Sequence, residues 1–522
     1  MEDSVDEKQT MPSKSNATRE AGHLSRRAML RASGALAALA AVDHGRLAWA
    51  GSQSAEIERR FVMMGDTTAL GRGVQADQFG TLVQQINRLQ PQPEFLLHLG
   101  DHIWGLTADE ADLRAQWREW WAAAAPLGTL PIHHLTGNHT CFNAASRSIF
   151  KEATVSRLPR GAERSADGLQ SVWRDGNTVL VMADTTFENS GQHGRIDWRW
   201  VDEALSRNAD ARYKYVAGHF PAFPVNGYTM PCWRIRADDA ESLWRVLVRH
   251  RVAAYLCAHV IAFDVQIHEG IPQICSAGGG YPLLYPPQTE YFHFTQIGIG
   301  PQRLEWQTVD VQGKVREQAR WPLECPPATT WPVLEAQGSA LPQMDAARQT
   351  ASDGVLLLRF EGRGVRRSDA EQTLLTGWND SDAPPAVWIG FSGNRLEVRI
   401  SPSRGDPALC WRGSPAREGH LALDLALHGA LGPGGVLVRN AESQPWTSLQ
   451  PESSYGFGGL VWPKRWSCGL AHTGYARTAT PAVLALLNYH PGIVERVDPF
   501  LGSDLRVRAH LLPVPALSGA VR

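Results

Sequence analysis

Neither sign of charge dominates this chain of 522 residues: 51 Lys and Arg stand against 53 Asp and Glu, a formal net charge of −2. There is no long basic block either, so the composition argues against nucleic acid as a partner. Patterned cysteine is missing too. The seven residues Cys141, Cys232, Cys257, Cys275, Cys325, Cys410 and Cys468 show neither C-x-x-C nor zinc-ribbon spacing, which speaks against a disulfide framework and a structural zinc site. Cys257 and Cys275 lie in apolar runs and read as buried thiols, while one pair, Cys410 with Cys468, stays open. Beyond the N-terminal region no apolar run reaches about eighteen residues, so no membrane span is predicted. Low-complexity tracts are absent as well. What is present is 43% hydrophobic residues over a length that suggests two or three domains. Tryptophan is plentiful, with 19 copies. Core packing is the simpler use for it, and exposed platforms for sugars are the alternative.

The N-terminus reads as an address. Residues 1–24 are polar and charged. Arg26-Arg27 then precedes a mildly apolar, Ala-rich stretch from Ala32 to about Val42, and Ala48-Trp49-Ala50 follows. Pair, apolar run and small-x-small site, in that order, resemble a twin-arginine (Tat) signal peptide cleaved after Ala50. Export to the periplasm or the exterior is the expectation, with residues 1–50 as signal peptide and disordered extension.

From Arg59 onward strands and helices alternate. Short apolar runs at Arg60–Met64, Phe95–Leu99, Pro131–Leu135, Tyr213–Ala217 and Val252–Cys257 read as buried strands. Asp77–Leu89, Ala111–Ala124, Asp197–Leu205 and Ser242–His250 have helical spacing. The strands end in Gly65-Asp66, Gly100-Asp101, Gly137-Asn138-His139, Gly218-His219 and Ala258-His259. In α/β sheets ligands gather beyond the carboxyl ends of strands, so residues distant in sequence can converge on one ion. Pro326-Pro327 through Pro342 reads as a linker. Past it, short runs such as Val355–Phe360 and the alternating Leu421, Leu423, Leu425 and Leu427 read as an antiparallel sandwich.

The order and spacing of Asp66, Asp101, Asn138-His139, His219 and His259 resemble the calcineurin-like metallophosphoesterases, which include the purple acid phosphatases. Asp184-Thr185 and the Ser276-Ala277-Gly278-Gly279 turn also resemble that superfamily, over about residues 59–320. The resemblance implies an α/β fold, a metallophosphoesterase β-sandwich flanked by helices, over residues 56–325. The linker is then 326–344. Residues 345–515 resemble, in texture, an all-β antiparallel jelly-roll sandwich of the concanavalin or laminin-G kind.

The resemblance also implies chemistry. A divalent ion, Zn, Mn or Fe, one or two per chain, offsets phosphoryl charge and activates hydroxide against a phosphate ester. Metal ligands carried over are Asp66, Asp101, Asn138, His219 and His259, with Asp101 bridging. His139 stands beside the leaving group as a proton or hydrogen-bond donor, and Asp66 orients the nucleophile or takes its proton. One metal site departs from the family pattern. Thr68 stands where the family has His, Trp104 where purple acid phosphatases have Tyr, and Ile261 where a second His is expected. Tryptophan offers only an N–H donor. His102 and His98 are candidate substitutes, with packed histidines as the simpler reading.

The function expected is that of an exported, metal-dependent phosphoric ester hydrolase (phosphatase or phosphodiesterase) with one intact and one degraded metal site. The alternative is a degenerate phosphoesterase fold that binds carbohydrate or a surface through the C-terminal domain, where Trp378, Trp388, Trp411, Trp446, Trp462 and Trp466 are available.

Overall fold

The computed structural model describes residues 57–186, 194–225, 230–283, 290–301 and 303–334 in the first part of the chain. Beyond these it describes 354–362, 371–378, 386–393, 395–400, 409–413, 421–428, 436–453, 463, 465–468, 475–477, 492–494, 498–499 and 505–513. All of them fall within one compact unit, Leu47–Arg522. The export signal expected within residues 1–50 lies outside the described residues.

Two sheets form the first half. The strands β1 (Arg59–Met64), β2 (Leu96–His98) and β3 (Ile132–His134) run parallel. The antiparallel β11 (His293–Ile299), β12 (Leu304–Asp310) and β13 (Val315–Trp321) extend that sheet beyond β1. In the second sheet β6 (Thr178–Met182), β7 (Tyr213–Ala217), β8 (Ala254–Cys257) and β10 (Ile271–Ser276) are parallel. β9 (Phe263–His268) forms one edge, and β5 (Ser171–Asp175) and β4 (Ala162–Arg164) lie at the other.

Alternation along each strand sets the layers. Phe61 and Met63 of β1 join Leu180 and Met182 of β6 in the core between the sheets. Val62 and Met64 point the other way, onto Phe79 and Leu82 of the helix Ala76–Ile86 and Trp117 and Trp120 of the helix Glu110–Ala124. Val179 and Val181 of β6 likewise meet Val201 and Leu205 of Trp198–Arg207 and Leu243 and Leu247 of Ala237–Arg249. The result is a helix–sheet–sheet–helix stack. Caps fix the helix starts: Asp109 accepts from the Ala111 and Asp112 amides, and Asn143 with Ser146 forms a capping box before the helix Ala144–Val155. That last helix, with β4, β5, β9 and β11–β13, goes beyond the elements read from the sequence.

Among the described residues the C-terminal part holds a two-stranded pair, Tyr475–Arg477 with Gly492–Val494, and two larger, mainly antiparallel sheets. One contains β15 (Gly354–Gly362), β20 (Leu421–His428), β21 (Val436–Arg439) and β28 (Arg506–Pro513). The other contains β16 (Glu371–Trp378), β17 (Val387–Ser392), β18 (Arg395–Ile400) and β19 (Leu409–Gly413). Leu421, Leu423, Leu425 and Leu427 all enter the core between them, as the alternation predicts. The opposite face of the first sheet is also covered, because Val355, Leu357, Ala426, Leu437 and Trp446 share the core of the first half. The junction is hydrogen-bonded as well. The Ile267 amide donates to Ser448 Oγ at 2.8 Å and the Gly270 amide to the Trp446 carbonyl at 3.1 Å. Part of the stretch read as a linker is therefore ordered, with Trp331 buried and Val333–Leu334 paired to β28.

Trp388, Trp411, Trp446 and Trp466 are all buried. They serve packing, so they give no platform for a sugar; the side chains of Trp378 and Trp462 lie outside the described residues. Cys257 and Cys275 are buried thiols on paired strands, as expected. The Cys410–Cys468 pairing cannot be placed, because the Cys468 side chain is outside the described residues.

Among the described residues no helix is long and apolar enough to cross a membrane.

Candidate metal centre

The parallel strands of both sheets end on one side of the stack, and their loops carry the predicted residues. Asp66 follows β1, Asp101 follows β2, and Asn138 and His139 follow β3. His219 follows β7 and His259 follows β8. The loops are laced together: the Asp66 amide donates to the Gly100 carbonyl at 3.1 Å, and the Gly65 amide to the Ser276 carbonyl at 2.9 Å. Asp66, Asp101 and His259 all have positive φ, at 61°, 52° and 70°. Side chains other than glycine rarely adopt that region, and such strain collects at functional sites. Glycine beside Asp101 is a steric need. A Cβ on Gly137 would lie 2.1 Å from Asp101 Oδ1, and one on Gly100 would lie 2.3 Å from the Thr136 carbonyl.

Four atoms converge. His219 Nε2 lies 3.0 Å from Asn138 Oδ1, 3.2 Å from Asp101 Oδ2 and 3.2 Å from His259 Nδ1. Asp101, His219 and His259 offer one ligand atom each, all within 4.8 Å of one another. The outer nitrogens are fixed by carbonyls, which can only accept. His219 Nδ1 donates to Leu99 at 2.9 Å and His259 Nε2 donates to Cys232 at 3.1 Å. Each ring thereby turns its other nitrogen inward. Asp101 Oδ1 accepts the His139 amide at 2.9 Å and the Thr140 amide at 3.3 Å, leaving Oδ2 for the centre.

The electrostatics agree with this geometry. Burial by itself would lower the His219 pKa, but the Asp101 carboxylate more than offsets it and holds the imidazole above its ordinary value. Burial works to raise Asp101, and His219, His139 and His259 reverse that, keeping the carboxyl ionised well below the usual range. His259 is pushed down to about 3, by burial first and His219 second, so it is a neutral ligand. Asp101 Oδ2, Asn138 Oδ1, His219 Nε2 and His259 Nδ1 thus face one another, two oxygens and two nitrogens in a donor set that fits a divalent ion.

Asp66 is separate from this set. Its Oδ2 accepts the His259 amide at 2.9 Å. Burial, with Asp101 adding to it, raises its pKa above the usual carboxyl range. The side chains at the three positions set apart by the resemblance are placed as follows. Thr68 is buried, and its Oγ1 has no hydrogen-bond partner among the described residues. Ile261 packs in the core between the sheets. The Trp104 ring lies 4.6 Å from that of His139, tilted by 54°, and its carbonyl accepts from His139 Nδ1 at 3.2 Å.

His98 and His102 turn away from the centre. Their rings stack at 3.7 Å, and His102 Nε2 meets His134 Nδ1 at 3.0 Å within a group of aromatics that includes Trp117 and Trp120. Burial pushes His98 to about 3. They are packed histidines. Asp184 ties loops together, accepting from Thr136 at 2.7 Å and pairing with Arg147 at 3.0 Å. Sequence reasoning missed Tyr281. Its amide donates to the Asp66 carbonyl at 2.8 Å, and its ring lies 6.2 Å from His139. The Gly278-Gly279-Gly280 turn that precedes it was the available signal.

Residues 59–263 match the family model for calcineurin-like phosphoesterases. The chain contains a calcineurin-like phosphoesterase domain. No curated protein matches the chain. Among solved structures it is similar to a dimetal phosphatase from Danio rerio, at 16% identity and TM-score 0.40, covering 51% of this chain and 99% of that one. It is also similar to GAP50, the anchor in the inner membrane complex of Plasmodium, at 13% identity and TM-score 0.39, covering 52% and 91%. A third is the purple acid phosphatase PPD1 of yellow lupin, at 12% identity and TM-score 0.38, covering 50% and 53%. In the phosphoesterase domain of this chain, the matched segment holds all six residues singled out from the sequence.

Proposed function

We propose that this protein is an exported phosphoric ester hydrolase that works with one divalent metal ion. The observation that carries the reading is the convergence of Asp101 Oδ2, Asn138 Oδ1, His219 Nε2 and His259 Nδ1, with both imidazoles fixed from behind by carbonyls. A divalent ion held by these four supplies positive charge against phosphoryl oxygens and lowers the pKa of water.

The chain's own groups do the rest. Two backbone amides hold Asp101 so that one oxygen stays inward. The His139 ring, held through Nδ1 by the Trp104 carbonyl, keeps Nε2 to hold or pass a proton to the leaving oxygen. Asp66, tied to the His259 amide through one oxygen, orients water or takes its proton through the other. Loss of ligands at Thr68, Trp104 and Ile261 is why we assign one ion. Arg26-Arg27 and Ala48-Trp49-Ala50 support export by the Tat route.

The test uses the chain from Gly51 onward, with metal counted by mass spectrometry and aryl phosphate mono- and diesters assayed across added Zn, Mn and Fe. We expect one ion per chain and metal-dependent turnover that Asp101→Ala abolishes. Turnover equal in the two proteins, or no stoichiometric metal, sinks the proposal.

A further inference from the structure

His139 has aromatic neighbours on two loops. The Trp104 ring lies 4.6 Å from it and the Tyr281 ring 6.2 Å away. Trp104 and Tyr281 are nearly parallel, at 13°, with centroids 6.4 Å apart. All three side chains are partly exposed.

The loops that carry this group are rigidly joined. Gly105 has a φ of 61°, and a Cβ there would lie 2.4 Å from the His139 carbonyl. Asn143 Nδ2 donates to the Thr107 carbonyl at 3.0 Å. These two joined loops also expose Leu106, at 36%, and Phe142, at 47%. Among the described residues the rings beside His139 are thus aromatic, where an ester of a sugar or a small polyol would call for hydrogen-bonding groups. Flat, partly exposed rings held on fixed loops suit a flat apolar ligand.

We infer that the ester's leaving group is a planar apolar alcohol, of the phenol or fused-ring aryl class, seated against Trp104 and Tyr281 beside His139. This rests on the hydrolase reading and names its substrate class. In the reaction, water oxygen bonds to phosphorus and the phosphorus–oxygen bond to the aryl group breaks. The proton lost by water ends on the aryl oxygen or in solvent, giving a phenol and a phosphate. An aryl oxide of ordinary phenol basicity, with a pKa of about 10, leaves with less help from a proton than an alkoxide does.

The test compares 2-naphthylphosphonate with methylphosphonate as non-hydrolysable ligands of the metal-loaded chain, read by calorimetry and by inhibition. Wild type should prefer the naphthyl ligand, and Trp104→Ala or Tyr281→Ala should cut that preference about tenfold, as the loss of one stacking ring does. Tyr281→Phe and Trp104→Phe should keep most of it, which separates ring contact from any use of the hydroxyl or the indole N–H. Equal binding of the two phosphonates, or a loss in Trp104→Ala common to both, overturns the inference. Preferential naphthyl binding in a protein that hydrolyses no ester sinks the hydrolase reading alone, whereas turnover without aryl preference sinks only the inference.

Discussion

On one side of the Asp101 carboxyl, Asn138, His219 and His259 bring three donors to within about one ion's width, each ring held by a carbonyl behind it. On the other side stands Asp66, with Thr68, Trp104 and Ile261 at the positions where the family resemblance leads one to expect further ligands. Ile261 fills the core between the sheets, Thr68 is buried, and Trp104 lies on His139. The contrast teaches that a metal site needs donors and the outer bonds that aim them. The first side has both, while on the second the Asp66 carboxylate is bonded to the His259 amide.

The largest expected effect comes from removing the shared charge. Asp101→Asn should cost the bound ion and lower kcat by about 10²–10³-fold, a loss typical of removing one group that meets developing charge, read by metal count and kinetics together. Asp66→Asn should separate the sides: the ion stays bound while kcat falls by about 10²-fold, the usual contribution of a positioned acid or base. Loss of the ion in Asp66→Asn would show the two sides to be one site.

Ile261→Ala should destabilise the fold by about 2–4 kcal/mol through the cavity it leaves, with the metal count unchanged; urea unfolding and mass spectrometry check both. Thr68→Val removes a buried hydroxyl that has no partner among the described residues. It should raise stability by about 1 kcal/mol, whereas a lowered metal count would reveal Thr68 as a ligand.

The smallest effect lies away from the centre. His268 is buried against Phe223 at 3.6 Å, and burial pushes its pKa to about 3. Between that value and the ordinary 6.5 the unfolded chain holds the proton and the native chain does not. This contribution to stability is complete above pH of about 6.5 and falls as the pH drops, by about 1.4 kcal/mol per unit at most. His268→Leu should reduce the acid slope in urea titrations at pH 4–6 (roughly that window) and leave the metal centre alone.

The strands that carry the ligands were legible because each is a short apolar run stopped by Gly or Ala and then a polar residue. Physical chemistry confines that pattern to buried parallel strands with polar ends. β11 and β12 were not legible. Both are fully buried, yet they carry Gln296, Glu305, Gln307 and Asp310. Glu305 is tolerated because Arg303, just ahead of the same strand, and Arg320, on β13, lie 3.0 and 2.9 Å away, and no periodicity announces a charge neutralised in this way. The helix Ala144–Val155 was not read either: Asn143 and Ser146 offered a capping signal, but its weak apolar stripe hid it.

By itself the sequence determined which residues stand at the strand ends and that the C-terminal leucines alternate into one core. These are local properties, written in neighbouring residues. Only the tertiary structure decided which nitrogen of each histidine faces the centre, that His98 and His102 turn away from it, and that Tyr281 joins Trp104 beside His139. It also decided that Trp388, Trp411, Trp446 and Trp466 are core and not a binding face. Each of these depends on a partner far away in the chain, the Leu99 carbonyl for His219 and the Cys232 carbonyl for His259. Only the meeting of the two sheets brings such partners within bonding distance.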